Sequence, residues 1–449
     1  MANQYPKLGR QPPQLRHTAM VAAAGWLSAV GACERPADPT QRITISGSAV
    51  GAEADVLKRQ LKRFMLGHPH VRVELLQTPD AAEARHQLYV QWLNAGVGEP
   101  DILQLDVIWI AEFAAAGWLH PLDGFAPDTN DYFPAALRAD RWNGRLFALP
   151  WFVDVGMIYW RTDLLDRAPA SLDDLMEMAD QARGAPGVYY GLVWQAARYE
   201  GLMCVFLEVL HAFGGRIVDA DGSVAIDSRE AVAALTFMRD AIHTRGVVPD
   251  ASLTWQEEQV RFAFQNGQAA MMRNWPYAYG LMQDPAQSRV AGKFSVMPIP
   301  AGPGGTSAAA LGGSHLAINA HSPDPQAAYK LLKYLVAPQQ MLERARGVGQ
   351  FPSRQSLYEH PELAEALAIP PAQARQIINH AVPRPVTPVY AELSELVQVA
   401  VHRVLTRQAE PAVALRRAAD EVRSLLVRTG LSGPQTEDDP AASNPRGSE

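Results

Sequence analysis

Cysteine is almost missing from this chain: 449 residues hold only Cys33 and Cys204. That is too few for a disulfide framework. Metal-ligand spacing is missing as well. Twelve histidines are scattered, the closest pair (His68 and His70) is split by Pro69, and no His-Glu-x-x-His or paired-Cys pattern occurs. No metal ion or other cofactor is expected. Gly302-Pro303-Gly304-Gly305 lacks the Gly-Lys-Ser/Thr that cradles a phosphate, and there is no Gly-x-Ser-x-Gly elbow. Positive charge is in deficit: 40 Lys and Arg against 47 Asp and Glu leave −7. No basic block with interleaved aromatics exists, so nucleic acid is not an expected partner.

What is present suits a large globular chain. Apolar content of 48% and charged content of 19% are ordinary for a packed core, and the length suits two lobes better than one. The N-terminus reads as a targeting segment, 1–32. Lys7, Arg10 and Arg16 precede an apolar run from about Thr18 to Val30, which ends in Val30-Gly31-Ala32 before Cys33. The run is too short for a comfortable membrane span. A Cys directly after small residues resembles a bacterial lipobox, which would make Cys33 the lipidated first residue of the mature chain. An ordinary signal peptide with an incidental Cys is the alternative. Residues 33–41 read as a polar tether and 432–449 as a disordered tail of Pro, Ser, Asp and Glu. With Cys33 carrying lipid, Cys204 is left as an inert buried thiol in an apolar helix.

Between these ends, strand and helix patterns alternate. Ile43–Ser46, Val71–Leu75 and Asp101–Leu105 read as strands, separated by helices over 53–65 and 81–95. The alternation implies α/β layers around a largely parallel sheet. The stretch 148–160, ALPWFVDVGMIYW, reads as a buried strand carrying one carboxylate, Asp154. A charge there is costly unless it is paired or hydrogen-bonded. Either backbone N–H groups satisfy it, or it points into a cleft beside aromatic rings.

Other polar and aromatic clusters fall near the ends of elements. Asp106, before Val107-Ile108-Trp109, is either a helix N-cap or a ligand group at a strand's carboxyl end. Tyr199-Glu200-Gly201 precedes an apolar helix. Glu257 and Glu258 stand in a helix first turn, which the macrodipole alone would favour. Asn274-Trp275-Pro276-Tyr277 sets two aromatics in a non-helical turn. Gly312 and Gly313 offer bare N–H groups to a close ligand, or simply a bend. Arg384 is held between Pro383 and Pro385. Rings, carboxylates, amides and one guanidinium together suit a neutral polyol.

The order and wording of these segments resemble the extracellular solute-binding proteins of bacterial ABC sugar importers, in their trehalose/maltose-binding branch. The resemblance covers about 42–430. It rests on Leu105-Asp106-Val107-Ile108-Trp109 with Gly117-Trp118-Leu119, Ala148–Asp154, Tyr199-Glu200-Gly201-Leu202, Asn274–Ala278, Leu311-Gly312-Gly313 and Val382-Pro383-Arg384-Pro385. It implies an α/β, two-lobed periplasmic-binding-protein fold (type II) with a hinge and a central sugar cleft. The expected N-terminal lobe is 42–149 with 312–350, and the C-terminal lobe 150–311 with 351–431, so Leu149-Pro150 would mark the first crossing. The resemblance puts Glu53, Arg85, Asp106, Gly312 and Gly313 on one side of the cleft. Asp154, Tyr199, Glu257 or Glu258, Trp275, Tyr277 and Arg384 face them, with Trp275 stacking on a pyranose. Some relatives carry Trp after the double glycine, where this chain has Ser314, which removes a stacking surface. The implied protein is a monomeric, exported lipoprotein, anchored through Cys33 at the outer face of the cytoplasmic membrane or periplasmic. It would capture a disaccharide such as trehalose or maltose and deliver it to the transmembrane permease of an ABC importer. It would not be an enzyme. The competing classes are a glycoside hydrolase using paired carboxylates and a purely structural surface lipoprotein.

Overall fold

The computed structural model describes residues 41–48, 51–79, 82–219, 221–367 and 369–431. The targeting segment with Cys33, most of the tether, and the tail 432–449 lie outside the described residues. Thirteen strands are described, in chain order β1 (Gln41–Ser48), β2 (Val71–Thr78), β3 (Ile102–Asp106), β4 (Arg141–Trp142), β5 (Arg145–Leu146), β6 (Ala148–Val155), β7 (Met157–Arg161), β8 (Tyr190–Val193), β9 (Ala269–Asn274), β10 (Phe294–Met297), β11 (Ala309–Ile318), β12 (Phe351–Pro352) and β13 (Ala381–Val382). The large sheet runs β12-β6-β11-β3-β1-β2, with β13 on β11; the small sheet runs β10-β7-β9-β8.

The β1–β2 and β1–β3 pairs are parallel, as βαβ alternation demands. The expected largely parallel sheet nevertheless gives way to a mixed one. β11 runs antiparallel to both β3 and β6, and β12 antiparallel to β6. The reason is connectivity: β6 and β11 lead out of and back into the large sheet, so the returning strand meets its neighbours head to tail.

The stretch 148–160 is two strands. β6 stays in the large sheet through Val155, opposite Leu311, whereas β7 begins at Met157 in the small sheet opposite Asn274. The chain therefore leaves the large sheet at Gly156, later than the expected Leu149-Pro150. Phe351 and Pro352 also belong to the large sheet, through β6. Most of the rings of this stretch serve the core. Trp151 is 2% exposed with Arg344 over its face at 3.8 Å, and the Tyr159 hydroxyl donates to the Trp275 carbonyl at 2.7 Å.

Helices cover the sheets where their periodicity directs. Leu57, Leu61 and Phe64 of the helix Gly51–Gly67 bury against Ile43, Ile45 and Val73 of the large sheet. Each such side chain contributes about 1.5–3 kcal/mol by burial. The small sheet packs under the helix Glu200–Ala212, which is mostly apolar and almost fully buried. Ser171, Ser228 and Asp324 cap their helices through their side chains, as local sequence suggests.

One glycine decides the path of a central strand. Gly313 has φ +117°, and a Cβ there would overlap the Phe152 carbonyl. The bend at Gly313 and the register shift at Ser314/His315 turn β11 past β6 beside Asp154.

Candidate functional site

A cavity of about 860 Å³ opens between the carboxyl ends of strands from both sheets. From the large sheet come Asp106 at the end of β3, Asp154 in β6, and Gly312 and Gly313 in β11. From the small-sheet side come Tyr199, Glu257, Trp275 and Tyr277, and Arg384 follows β13 beside β11. These are nine of the residues singled out above, gathered from seven separate segments.

Each has a defined setting. Asp106 fills both roles considered for it. Its Oδ1 accepts from the Ile108 N–H at 3.2 Å, capping a short 3₁₀ turn, and from Arg384 Nη2 at 3.2 Å. Arg384 also donates to Glu200 Oε1 at 2.8 Å and to the Leu311 carbonyl at 3.3 Å, so one guanidinium ties a group of the large sheet to a group beside the small one. Glu200 is held in turn by the Tyr390 hydroxyl and by Ser394 Oγ at 2.6 Å.

Asp154 differs from Asp106. Among the described residues nothing hydrogen-bonds its carboxylate, although the group reaches the cavity. Burial, then the charges of Glu53 and Asp106, push its pKa up to about 7. It is the awkward half-buried charge that the sequence announces, and its backbone neighbours do not satisfy it.

Trp275 follows β9. Asn274 Oδ1 accepts from its backbone N–H at 2.8 Å, and its indole Nε1 donates to Glu257 Oε1 at 3.4 Å. Its ring edge lies 3.5 Å from the position a Cβ would take on Gly312, so the ring packs beside β11. Tyr277 begins the helix Tyr277–Met282 rather than lying in the turn, and its hydroxyl donates to Glu258 Oε1 at 2.7 Å. Burial, then Glu257, raises the pKa of the Tyr199 hydroxyl.

Three expected residues do not line the cavity. Glu258 is turned to Arg261 and Tyr277; the Arg261 bond first, aided by Tyr277, holds it below the usual carboxylate range. Arg85 lies over Trp109 at 5.4 Å and donates to the Pro79 carbonyl. Glu53 acts at a distance, as a charge felt by Asp154 and Arg344.

The cavity also includes residues outside the expected set. Glu200, Tyr390, Ser394 and Gln398 form one wall, and His86, Trp109 and Glu112 another, with His86 Nε2 2.8 Å from Glu112 Oε2. Glu200 stands in a cluster noted in the sequence, but its role as the hub for Arg384 needed the helix Tyr390–Leu405, distant along the chain. Cys204 lies at the cavity floor; it is 2% exposed and burial raises its thiol to about 12, which fits an inert group.

Two α/β lobes with a polar, ring-bearing cleft at their strand ends define a two-lobed periplasmic-binding-protein fold. The sequence profile for the family Bacterial extracellular solute-binding protein matches residues 50–342, and this chain belongs to that family. As the family is extracellular, the chain is an exported one. It is 36% identical over 373 residues to a probable ABC transporter-binding protein of Deinococcus radiodurans, covering 79% of this chain and 87% of that one. It is 24% identical over 384 residues to a maltotriose-binding protein of Pyrococcus abyssi, covering 82% and 79%. Among solved structures it is similar to T. maritima MalE3 with maltose bound, at 44% identity and a TM-score of 0.79, covering 86% of this chain and all of that one. It is also similar to the GacH receptor of Streptomyces glaucescens, solved unliganded and with acarbose, at 26% identity and a TM-score of 0.75, covering 86% and 99%. The family and these relatives are transport binding proteins rather than enzymes.

Proposed function

We propose that this chain is the sugar-capturing subunit of an ABC importer, with a disaccharide such as maltose or trehalose as its ligand. One observation carries the reading. A single cavity joins an indole ring to two carboxylates, Asp154 and Glu257, that have no cationic hydrogen-bond partner among the described residues. Carboxylates left as acceptors suit hydroxyl donors, and the ring suits the C–H face of a pyranose. The similarity to maltose-bound MalE3, and the maltotriose-binding relative, support the same ligand class.

In this proposal the lobes are 42–155 with 311–352 and, facing it, 157–310 with the helices after 390. The ligand closes them about the crossings near Gly156 and Ala310, and the closed form docks on the permease. Only a ligand that binds the closed form more tightly can drive that shift. Cys33 is the lipid anchor in this reading, and the working unit is a monomer.

The direct test is a thermal-shift screen of the purified protein with maltose, trehalose, sucrose and maltotriose, with glucose release followed in parallel. A cognate sugar at 100 times its Kd stabilises by about 2.7 kcal/mol. No shift with any of them would refute the proposal, and liberated glucose would favour the hydrolase.

The paired glutamates give a finer test. Glu257→Gln is expected to weaken binding of the cognate sugar about tenfold, since its carboxylate faces the cavity and holds the indole N–H. Glu258→Gln should change affinity by less than about threefold, because its carboxylate does not line the cavity and is taken up by Arg261 and the Tyr277 hydroxyl. The reverse order, measured by calorimetry, would reassign the cavity carboxylate.

A further inference from the structure

The most buried ion pair next to the cavity is Glu208 with Arg273, each side chain 2% exposed. Arg273 Nε donates to Glu208 Oε2 at 2.8 Å, and its Nη2 donates to Oε1, so the contact is two-pronged. Burial lowers the guanidinium's proton affinity, but Glu208 outweighs it and holds Arg273 above its usual value. Such a pair is weak evidence for stability, because desolvating two charges offsets most of their attraction. Its neighbours suggest what it does.

The guanidinium lies 4.1 Å from the centre of the Trp275 ring. Its Nη1 donates to Gln195 Oε1 at 3.4 Å, and Gln195 Nε2 donates to the Arg273 carbonyl at 3.3 Å, so the plane of the group is fixed from both ends. Glu208 Oε1 also accepts from the Ala310 N–H at 3.1 Å, on β11 where the chain returns to the large sheet. On the outgoing crossing, a Cβ on Gly156 would overlap both Glu208 Oε1 and Arg273 Nη2. The pair therefore touches the ring in the cavity and both crossing segments at once.

We infer that Glu208 and Arg273 are positioning residues for ligand recognition: the guanidinium occupies one face of Trp275, fixing the ring plane and leaving the opposite face to the sugar, and Glu208 fixes the guanidinium. This rests on the reading of Trp275 as the stacking surface. A planar, always-charged Arg does this where a Lys does not, because the ring needs a flat partner.

The test uses the full chain and calorimetry with maltose, then trehalose. Glu208→Gln with Arg273→Met removes both charges together, so neither is left buried alone. The expected result is a folded protein whose affinity falls about tenfold, with an altered near-UV circular-dichroism signal of Trp275, taken as the difference from a Trp275→Ala protein. In the Trp275→Ala background the same exchange should change residual affinity by less than about twofold. Equal losses in both backgrounds, or none in either, would overturn the inference. Arg273→Lys carries the test if the double exchange does not fold: a lowered affinity and a changed Trp275 signal support it, and wild-type values for both overturn it. Failure of the reading beneath it looks different. Trp275→Ala would then bind both sugars as the wild type does, or the wild type would bind neither, and the inference would fall with that reading.

Discussion

Replacing Asp154 by Asn is expected to make the unliganded protein more stable while removing most of its sugar binding. The carboxylate lines the cavity in a half-buried setting without a hydrogen-bond partner among the described residues, and desolvation, Glu53 and Asp106 together raise its pKa to about 7. The sign for stability follows from proton counting. The unfolded chain loses this proton near the ordinary carboxylate value of 3.8, whereas the native chain keeps it to about 7. Between those values the native state binds more protons, so Asp154 makes stability fall as pH rises through the window, with the penalty complete above about 7. Asn carries no such penalty. Allowing for cavity water, the gain at pH 8 is on the order of 2 kcal/mol, seen as a rise in Tm of about 2–4 °C. Binding moves the other way. An ionised acceptor lost to an amide costs about 2–3 kcal/mol, or roughly 30- to 150-fold in Kd. In the wild type, hydroxyls donating to Asp154 favour its ionised form, so affinity rises with pH up to about 7 and then levels, with proton release on binding below that. Calorimetry in buffers of different ionisation enthalpy measures the release. Proton uptake, or a Tm unchanged by the substitution, would show that Asp154 acts as a donor or is not strained.

Trp275→Ala should be the most damaging change to affinity among the rings. A ligand covering one face of an indole removes about 100 Å² of apolar surface from water, worth about 2–3 kcal/mol. The expected loss is roughly 30- to 150-fold in Kd, together with most of the fluorescence change on adding sugar. Fold and Tm should move less, because the backbone around 275 stays held through Asn274 and Tyr159. Unchanged affinity for every sugar that the wild type binds would remove Trp275 from the site.

Much of this is legible in the sequence. Local rules place the strands near 43–46, 71–75 and 101–105 and the helices over 53–65 and 81–95 near where they stand, because periodicity acts over a few residues. The aromatic and carboxylate clusters were visible as local oddities, and nine of the residues picked from them line one cavity. Less visible was partnership. Nothing within 148–160 says that one apolar run serves two sheets; Gly156 is a single letter, and its need for no side chain comes from Glu208 and Arg273. Likewise, Glu257 and Glu258 are equivalent in a helix first turn, and only Arg261 and Tyr277 separate them.

The sequence by itself determined the class of chain, the elements, and the chemical kit of rings, carboxylates and one proline-held arginine, since these depend on composition and short-range pattern. The tertiary structure alone decided where the chain crosses between sheets, which carboxylates are spent on arginines and which remain open to a ligand, and what stands behind Trp275. Those outcomes hang on contacts between residues far apart in sequence. Glu200 meets Arg384 and Glu208 meets Arg273 only once the chain has packed around the sheets, and Asp154 feels the charge of Glu53 for the same reason.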